Sequence, residues 1–265
     1  MDPVALWPAA IIGAVVGLVM GMLGGGGAIL TVPALVYLLG QEVPTATATS
    51  LLVVGTNAAF GALTHHRAGR VRWRTALVFA AGGLCGALPG VLLNRMMPGA
   101  LVLLLFAGVL LAAAMMLLRW RPSAAQAPLG DCRGLAYCLR AAGAGLGIGL
   151  LTGFFGVGGG FLIVPTLLRG LRIAMPQAVA TSLAIIGLNA ASGLAGHFLV
   201  GRLQPGLALP LLAGGMVGIG IGTRLAGTVP EALLRRLFAG LLILVALFLV
   251  VQNVPLLWRG LTAAV

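Results

Sequence analysis

The sequence predicts an all-α polytopic membrane protein made of two inverted repeats. Each repeat is a glycine-broken helical hairpin followed by three transmembrane helices, for about eight to ten membrane segments in all. Three observations predict this class. The 265 residues are 60% hydrophobic and only 8% charged, whereas a soluble domain carries about a quarter charged residues to cover its surface. Apolar runs such as Gly99–Leu118 and Leu237–Val251 approach the roughly 20 residues that cross a ~30 Å hydrocarbon layer as a helix. The chain also repeats itself without a gap, at the fixed offset that carries Gly13 onto Gly145.

The repeat sets the organisation. At that offset Gly21, Gly24, Gly26-Gly27 and Pro33 meet Gly153, Gly156, Gly158-Gly159 and Pro165. Ala48-Thr49-Ser50-Leu51 meets Ala180-Thr181-Ser182-Leu183, and Asn57-Ala58-Ala59 meets Asn189-Ala190-Ala191. His65 meets His197, Gly82-Gly83 meets Gly214-Gly215, and Phe106-Ala107-Gly108 meets Phe238-Ala239-Gly240. The expected divisions are a first repeat over 1–118, a polar cytoplasmic linker over 119–134, a second repeat over 135–252 and a tail over 253–265. Within each repeat a broken apolar segment (Pro8–Leu39; Leu135–Leu168) precedes three uninterrupted spans. These are Ala46–Leu63, Ala76–Leu93 and Gly99–Leu118, then Ala178–Leu199, Leu207–Leu225 and Ala232–Val251. No ten-residue alternating segments of the outer-membrane barrel type occur.

The broken segment leaves two topologies open. A single kinked crossing gives four crossings per repeat and parallel halves. A chain that turns at the glycines and returns gives inverted halves. Cytoplasmic loops carry an excess of basic residues, and this bias favours inversion. The inverted arrangement leaves only Arg95, Arg202 and Arg259 outside, whereas the parallel one brings Arg202 and Arg259 inside but places Arg169, Arg172, Arg224, Arg235 and Arg236 outside with Arg95. The N-terminus is then external. Met-Asp-Pro-Val lacks the basic start of a cleaved signal peptide, so the first apolar segment is expected to belong to the fold.

The net charge of +12 comes wholly from arginine. In a soluble chain it would suggest nucleic acid, but these arginines sit singly or in short groups between spans. They suit loops facing anionic lipid, so the lipid bilayer is the expected partner and nucleic acid is not. The setting expected is a bacterial cytoplasmic (inner) membrane, crossed many times. Cys85, Cys132 and Cys138 match no metal-ligand spacing. No metal or cofactor is expected, and no nucleophile–base pair suggests an enzyme. No phosphate-binding Gly-Lys-Ser/Thr loop is present, so the chain does not itself hydrolyse ATP.

Four groups of residues could bind a solute. Gly24, Gly25, Gly26 and Gly27, with Gly156, Gly158, Gly159 and Gly160, permit a sharp turn and leave backbone N–H groups uncovered. A helix restarting after such a turn offers free N–H groups and a positive dipole end to an anion, as broken helices in inverted-repeat transporters do. Close helix packing is the other reading. Thr49, Ser50, Thr181 and Ser182 supply hydroxyls, which could contact a solute or bond their own helix carbonyls. Asn57 and Asn189 lie two turns on along the same faces and could bind a ligand or join helices. His65 and His197 are gating or proton candidates, and His66, without a counterpart, reads as loop. All four acids (Asp2, Glu42, Asp131, Glu231) lie near span ends or in linkers. A site of N–H, hydroxyl and amide groups without carboxylates suits a small anion.

The duplicated Gly-x-x-Gly-x-Gly-Gly-x5-Pro (Gly21–Pro33; Gly153–Pro165) and Ala-x-Ala-Thr-Ser (Ala46–Ser50; Ala178–Ser182) resemble the sulfite exporter TauE/SafE family, also called the TSUP family of anion permeases. The resemblance covers about Ile12 to Leu249. It implies transport of sulfite, thiosulfate, sulfonates such as sulfoacetate, or related organic anions. The expectation is a secondary transporter with alternating access between the halves, for which a homodimer is an admissible state. A passive anion channel and a non-transporting membrane subunit of a larger assembly are the alternatives.

Overall fold

The computed structural model describes residues 6–97, 99–119, 134–155, 160–198 and 205–262. They are helical and, among the described residues, contain no strand. The helices are α1 (Leu6–Leu23), α2 (Gly26–Pro33, extended by a π-helical turn, Ala34–Leu38), α3 (Val43–Arg67), α4 (Trp73–Arg95) and α5 (Gly99–Arg119). In the second half they are α6 (Leu135–Phe155), α7 (Gly160–Gly170), α8 (Met175–Phe198), α9 (Pro205–Thr228) and α10 (Glu231–Thr262). The repeat offset carries the first residues of α3, α4 and α5 onto those of α8, α9 and α10. The linker over 120–133 lies outside the described residues. Helix α10 continues to Thr262, past the end of the second repeat inferred from sequence.

Five helices are long and apolar enough to cross a membrane: Trp73–Asn94, Leu101–Arg119, Leu135–Phe155, Gly206–Thr228 and Ala232–Gln252. Their outer faces carry bare apolar side chains, with Leu88 73%, Leu139 63% and Leu244 65% exposed. Such a surface is stable against lipid and not against water. Helix α8 differs. Every residue from Ala178 to Ile186 is buried, so it is apolar all round because it is surrounded by protein.

The glycine-broken segment turns back. Gly24 adopts φ +72°, a conformation that costs a residue with a Cβ. A methyl group at Gly27 would run into Met20 and the Val16 carbonyl. Leu30, Pro33, Tyr37 and Leu38 share an apolar groove with Ile11, Val15 and Val16. Helix α2 therefore runs back along α1 as a hairpin. At 11 residues α7 is only about 16 Å long, so it cannot cross a ~30 Å hydrocarbon layer.

The halves are joined by exchange of their first helices. Helix α1 packs on α9, and its equivalent α6 packs on α4. Gly13, Gly17 and Gly21 of α1 meet the backbone at Leu211, Gly215 and Ile219, and Gly214, Gly218 and Gly222 of α9 meet it at Ala10, Ala14 and Leu18. The partner numbers rise together, so α1 and α9 run parallel. Gly145, Gly149 and Gly153 of α6 lie in the same way on Phe79, Gly83 and Ala87 of α4. Two glycine stripes at four-residue spacing let each pair of backbones touch, which is how helices associate where no hydrophobic force draws them together. The equivalent helices α3 and α8 run antiparallel, with Gly55 against Ala190 and Gly61 against Leu183.

These contacts predict a sharp division among the glycines. Gly86→Leu and Gly218→Leu, each aimed at a neighbouring backbone, should lower stability by about 1–3 kcal/mol or more, as overpacking does. Gly108→Leu and Gly240→Leu, where nothing lies within 4 Å, should leave it within about 0.5 kcal/mol, as for other surface changes. Thermal unfolding in detergent measures the difference.

Candidate functional site

The tips of the two broken segments meet. A Cβ on Gly25 would collide with the backbone of Gly160, and one on Gly160 would lie 3.1 Å from the Gly25 carbonyl oxygen and 2.9 Å from Ile186. Gly24 faces the other half: a Cβ there would lie 2.5 Å from Ser182 Oγ and 3.1 Å from Val164. Helix α2 begins at Gly26 with Gly25 as an N-cap that makes no side-chain bond. The N–H groups of its first turn therefore emerge where the halves touch. Gly156, Gly158 and Gly159 lie outside the described residues.

The hydroxyl pairs do not act alike. Ser182 is buried and its Oγ donates to the Val179 carbonyl at 2.8 Å, so it bonds its own helix while sitting against Gly24. Thr181, also buried, turns away from the tips and accepts a bond from the Arg72 N–H at 3.2 Å. Arg72 Nε donates to Gln177 at 3.0 Å. Thr181 thus fastens the α3–α4 loop to α8. Ser50 is buried on α3. Thr49 is buried and its Oγ1 makes no hydrogen bond; the position equivalent to its counterpart's partner, residue 204, lies outside the described residues.

Asn57 carries the clearest signal. It is fully buried on α3, and neither its Nδ2 nor its Oδ1 has a hydrogen-bond partner. Its amide presses on the bare backbone of Gly215 in α9. Leaving a buried polar group unsatisfied costs about 1–3 kcal/mol, and here both polar atoms of the amide are left so. Asn189, its equivalent, lies 3.7 Å from where a Cβ on Gly83 of α4 would be.

His65 is buried near the end of α3, and its Nε2 makes no hydrogen bond. It lines a cleft of about 500 Å³ between α3 and α9, together with Thr64, Arg70, Thr223 and Arg224. The backbone of His197 lies in the last turn of α8, and its side chain falls outside the described residues. His66, expected in a loop, instead sits in the last turn of α3, where Trp73 Nε1–H donates to its Nδ1 at 2.9 Å. Trp73 is the first residue of α4, so the short connection from α3 brings it against the last turn of that helix.

The ends of the helices sort by charge. Tyr137 at the start of α6 is 3.3 Å from Thr75 at the start of α4, Arg72 holds the start of α8, and Arg70 and Arg224 share a cleft. One face of the protein therefore gathers Arg67, Arg70, Arg72, Arg74, Arg140 and Arg224. At the opposite end, Asn94 Nδ2 donates to the Phe154 carbonyl at 2.6 Å and caps α6 just before its break.

Residues 9–249 match the family described as sulfite exporter TauE/SafE. The chain is 35% identical over 257 residues to a "Probable membrane transporter protein" of Xylella fastidiosa (strain Temecula1 / ATCC 700964), covering 95% of each chain. A second protein of that name, from Xylella fastidiosa (strain 9a5c), is equally similar over the same span. The "Probable membrane transporter protein YdhB" of Bacillus subtilis (strain 168) is 28% identical, over 86% of this chain and 96% of its own. No solved structure matches the chain. The match spans both glycine hairpins and all the long helices, so the chain is a membrane transporter of the sulfite exporter TauE/SafE family.

Proposed function

We propose that this transporter is a secondary carrier of a small sulfur-containing or organic anion, such as sulfite, thiosulfate or a sulfonate. It works by alternating access between two halves inverted in a bacterial cytoplasmic membrane. The observations that carry the reading are the meeting of the glycine tips of both halves and, on α3, a buried amide without a hydrogen-bond partner, Asn57, packed on Gly215.

Helix N-terminal N–H groups and a neutral amide can bind an oxyanion without importing charge. The only acid whose side chain is described, Glu42, is exposed and precedes the first residue of α3. The antiparallel run of α3 and α8 is what inversion about an in-plane axis requires. The arginine-rich face is then cytoplasmic by the positive-inside rule. Because Gly25 and Gly160 are in contact, a solute between them needs the halves to separate, and α1 and α6 would ride with the opposite half as they do so.

Two experiments follow. Purified protein in liposomes should take up at least one of sulfite, thiosulfate, sulfate, sulfoacetate and chloride, with saturation. Uptake without saturation would favour a channel, and no uptake of any of them would favour a non-transporting subunit. Asn57→Leu should abolish or cut uptake by at least tenfold while thermal stability holds or rises by up to about 1–3 kcal/mol, because two unsatisfied polar atoms leave the interior. A large loss of stability with uptake intact would make Asn57 a helix-joining residue only.

A further inference from the structure

Duplication makes the two faces of this protein comparable residue by residue, and one cleft breaks the symmetry. The cleft between the C-terminal halves of α3 and α9 opens on the arginine-rich face. Its polar wall consists of Thr64, His65, Arg70, Thr223 and Arg224. Arg70 is half-buried and Arg224 exposed. Among the described residues no carboxylate lines the cleft.

At the repeat offset Thr64, Thr223 and Arg224 correspond to Gly196, Val91 and Leu92. Val91 and Leu92 lie on the exposed side of α4, near the end marked by the Asn94–Phe154 bond. Only the histidine and one arginine, His197 and Arg202, are kept in that half of the sequence. At the equivalent positions the sequence therefore has two hydroxyls and one guanidinium fewer than this cleft.

We propose that the α3–α9 cleft is a one-sided loading site for the transported oxyanion, with Arg224 and Arg70 as its charged ligands. The inference rests on the transporter reading above and adds a polarity to it. A concave site lined by one sign of charge concentrates counter-ions and speeds their capture. Guanidinium groups suit the tetrahedral and pyramidal oxyanions of sulfur and phosphorus, through paired N–H donors. The cleft leads from this face along α3, whose buried Asn57 lies two turns further in. An anion captured at Arg224 thus stands at the outer end of the helix that carries the central amide. Loading is favoured from the arginine-rich face, so transport is asymmetric between directions.

The test compares sulfite and thiosulfate uptake into everted and right-side-out membrane vesicles. Arg224→Leu gives this face the residue found on the other. It should raise the half-saturation concentration about tenfold when the anion is presented to the arginine-rich face, the effect of losing one charge-assisted hydrogen bond, and less than twofold from the other face. The reciprocal Val91→Thr/Leu92→Arg variant should lower half-saturation on the opposite face. Equal shifts from both faces, or none from either, overturn the proposal. If wild-type vesicles move neither anion, the transporter reading for these substrates fails first and separately. An Arg224→Leu effect that vanishes in liposomes without anionic lipid would assign the cleft to a lipid phosphate and overturn the proposal too.

Discussion

Contact between bare backbones holds this protein together. In hydrocarbon, apolar side chains gain nothing by leaving lipid for each other, so helices associate through dispersion and close approach. The glycine stripes on α1 and α6 provide that approach against α9 and α4. Because each stripe belongs to one half and its groove to the other, the halves cannot be two bundles laid side by side. Everything central follows from this exchange. The hairpin tips are delivered to the middle by helices anchored in the opposite half, and Asn57 and Asn189 find glycine backbone beside them, at Gly215 and Gly83.

Much of this order is legible in the sequence. An ungapped duplication fixes the equivalence of helices, and four successive glycines after a short apolar run announce a break. The direction of the chain after the break is less legible. A run of glycine permits a kink or a reversal alike, and the packing of α2 back on Val16 and Met20 of α1 is what decides it. The stripe of Gly13, Gly17 and Gly21 says only that something lies close. Its partner, α9, is about 200 residues away along the chain, beyond what any local pattern encodes.

The candidate site divides in the same way. Thr181 and Ser182 are neighbours on one helix, so their side chains point about 100° apart and could not both face the tips. The structure sends Thr181 to the Arg72 N–H and Ser182 toward Gly24. Asn57 could be read as ligand or as glue, and its lack of a partner favours ligand. Arg224 was missed as a site residue because it has no basic counterpart, the repeat placing Leu92 there. In a duplicated protein the departures from symmetry mark where the two sides of the membrane are treated differently.

Alternating access requires the halves to move against each other about their shared interface. The crossing of α3 and α8 offers a direct test, since a Cβ on Gly187 would lie 3.8 Å from that of Ala59, within the range a disulfide spans. In a chain whose own cysteines are replaced, Ala59→Cys/Gly187→Cys should cross-link on oxidation. Sulfite or thiosulfate uptake into liposomes should then stop, and return on reduction. Full uptake by the cross-linked protein would contradict the account, because the halves would then carry their solute without moving apart.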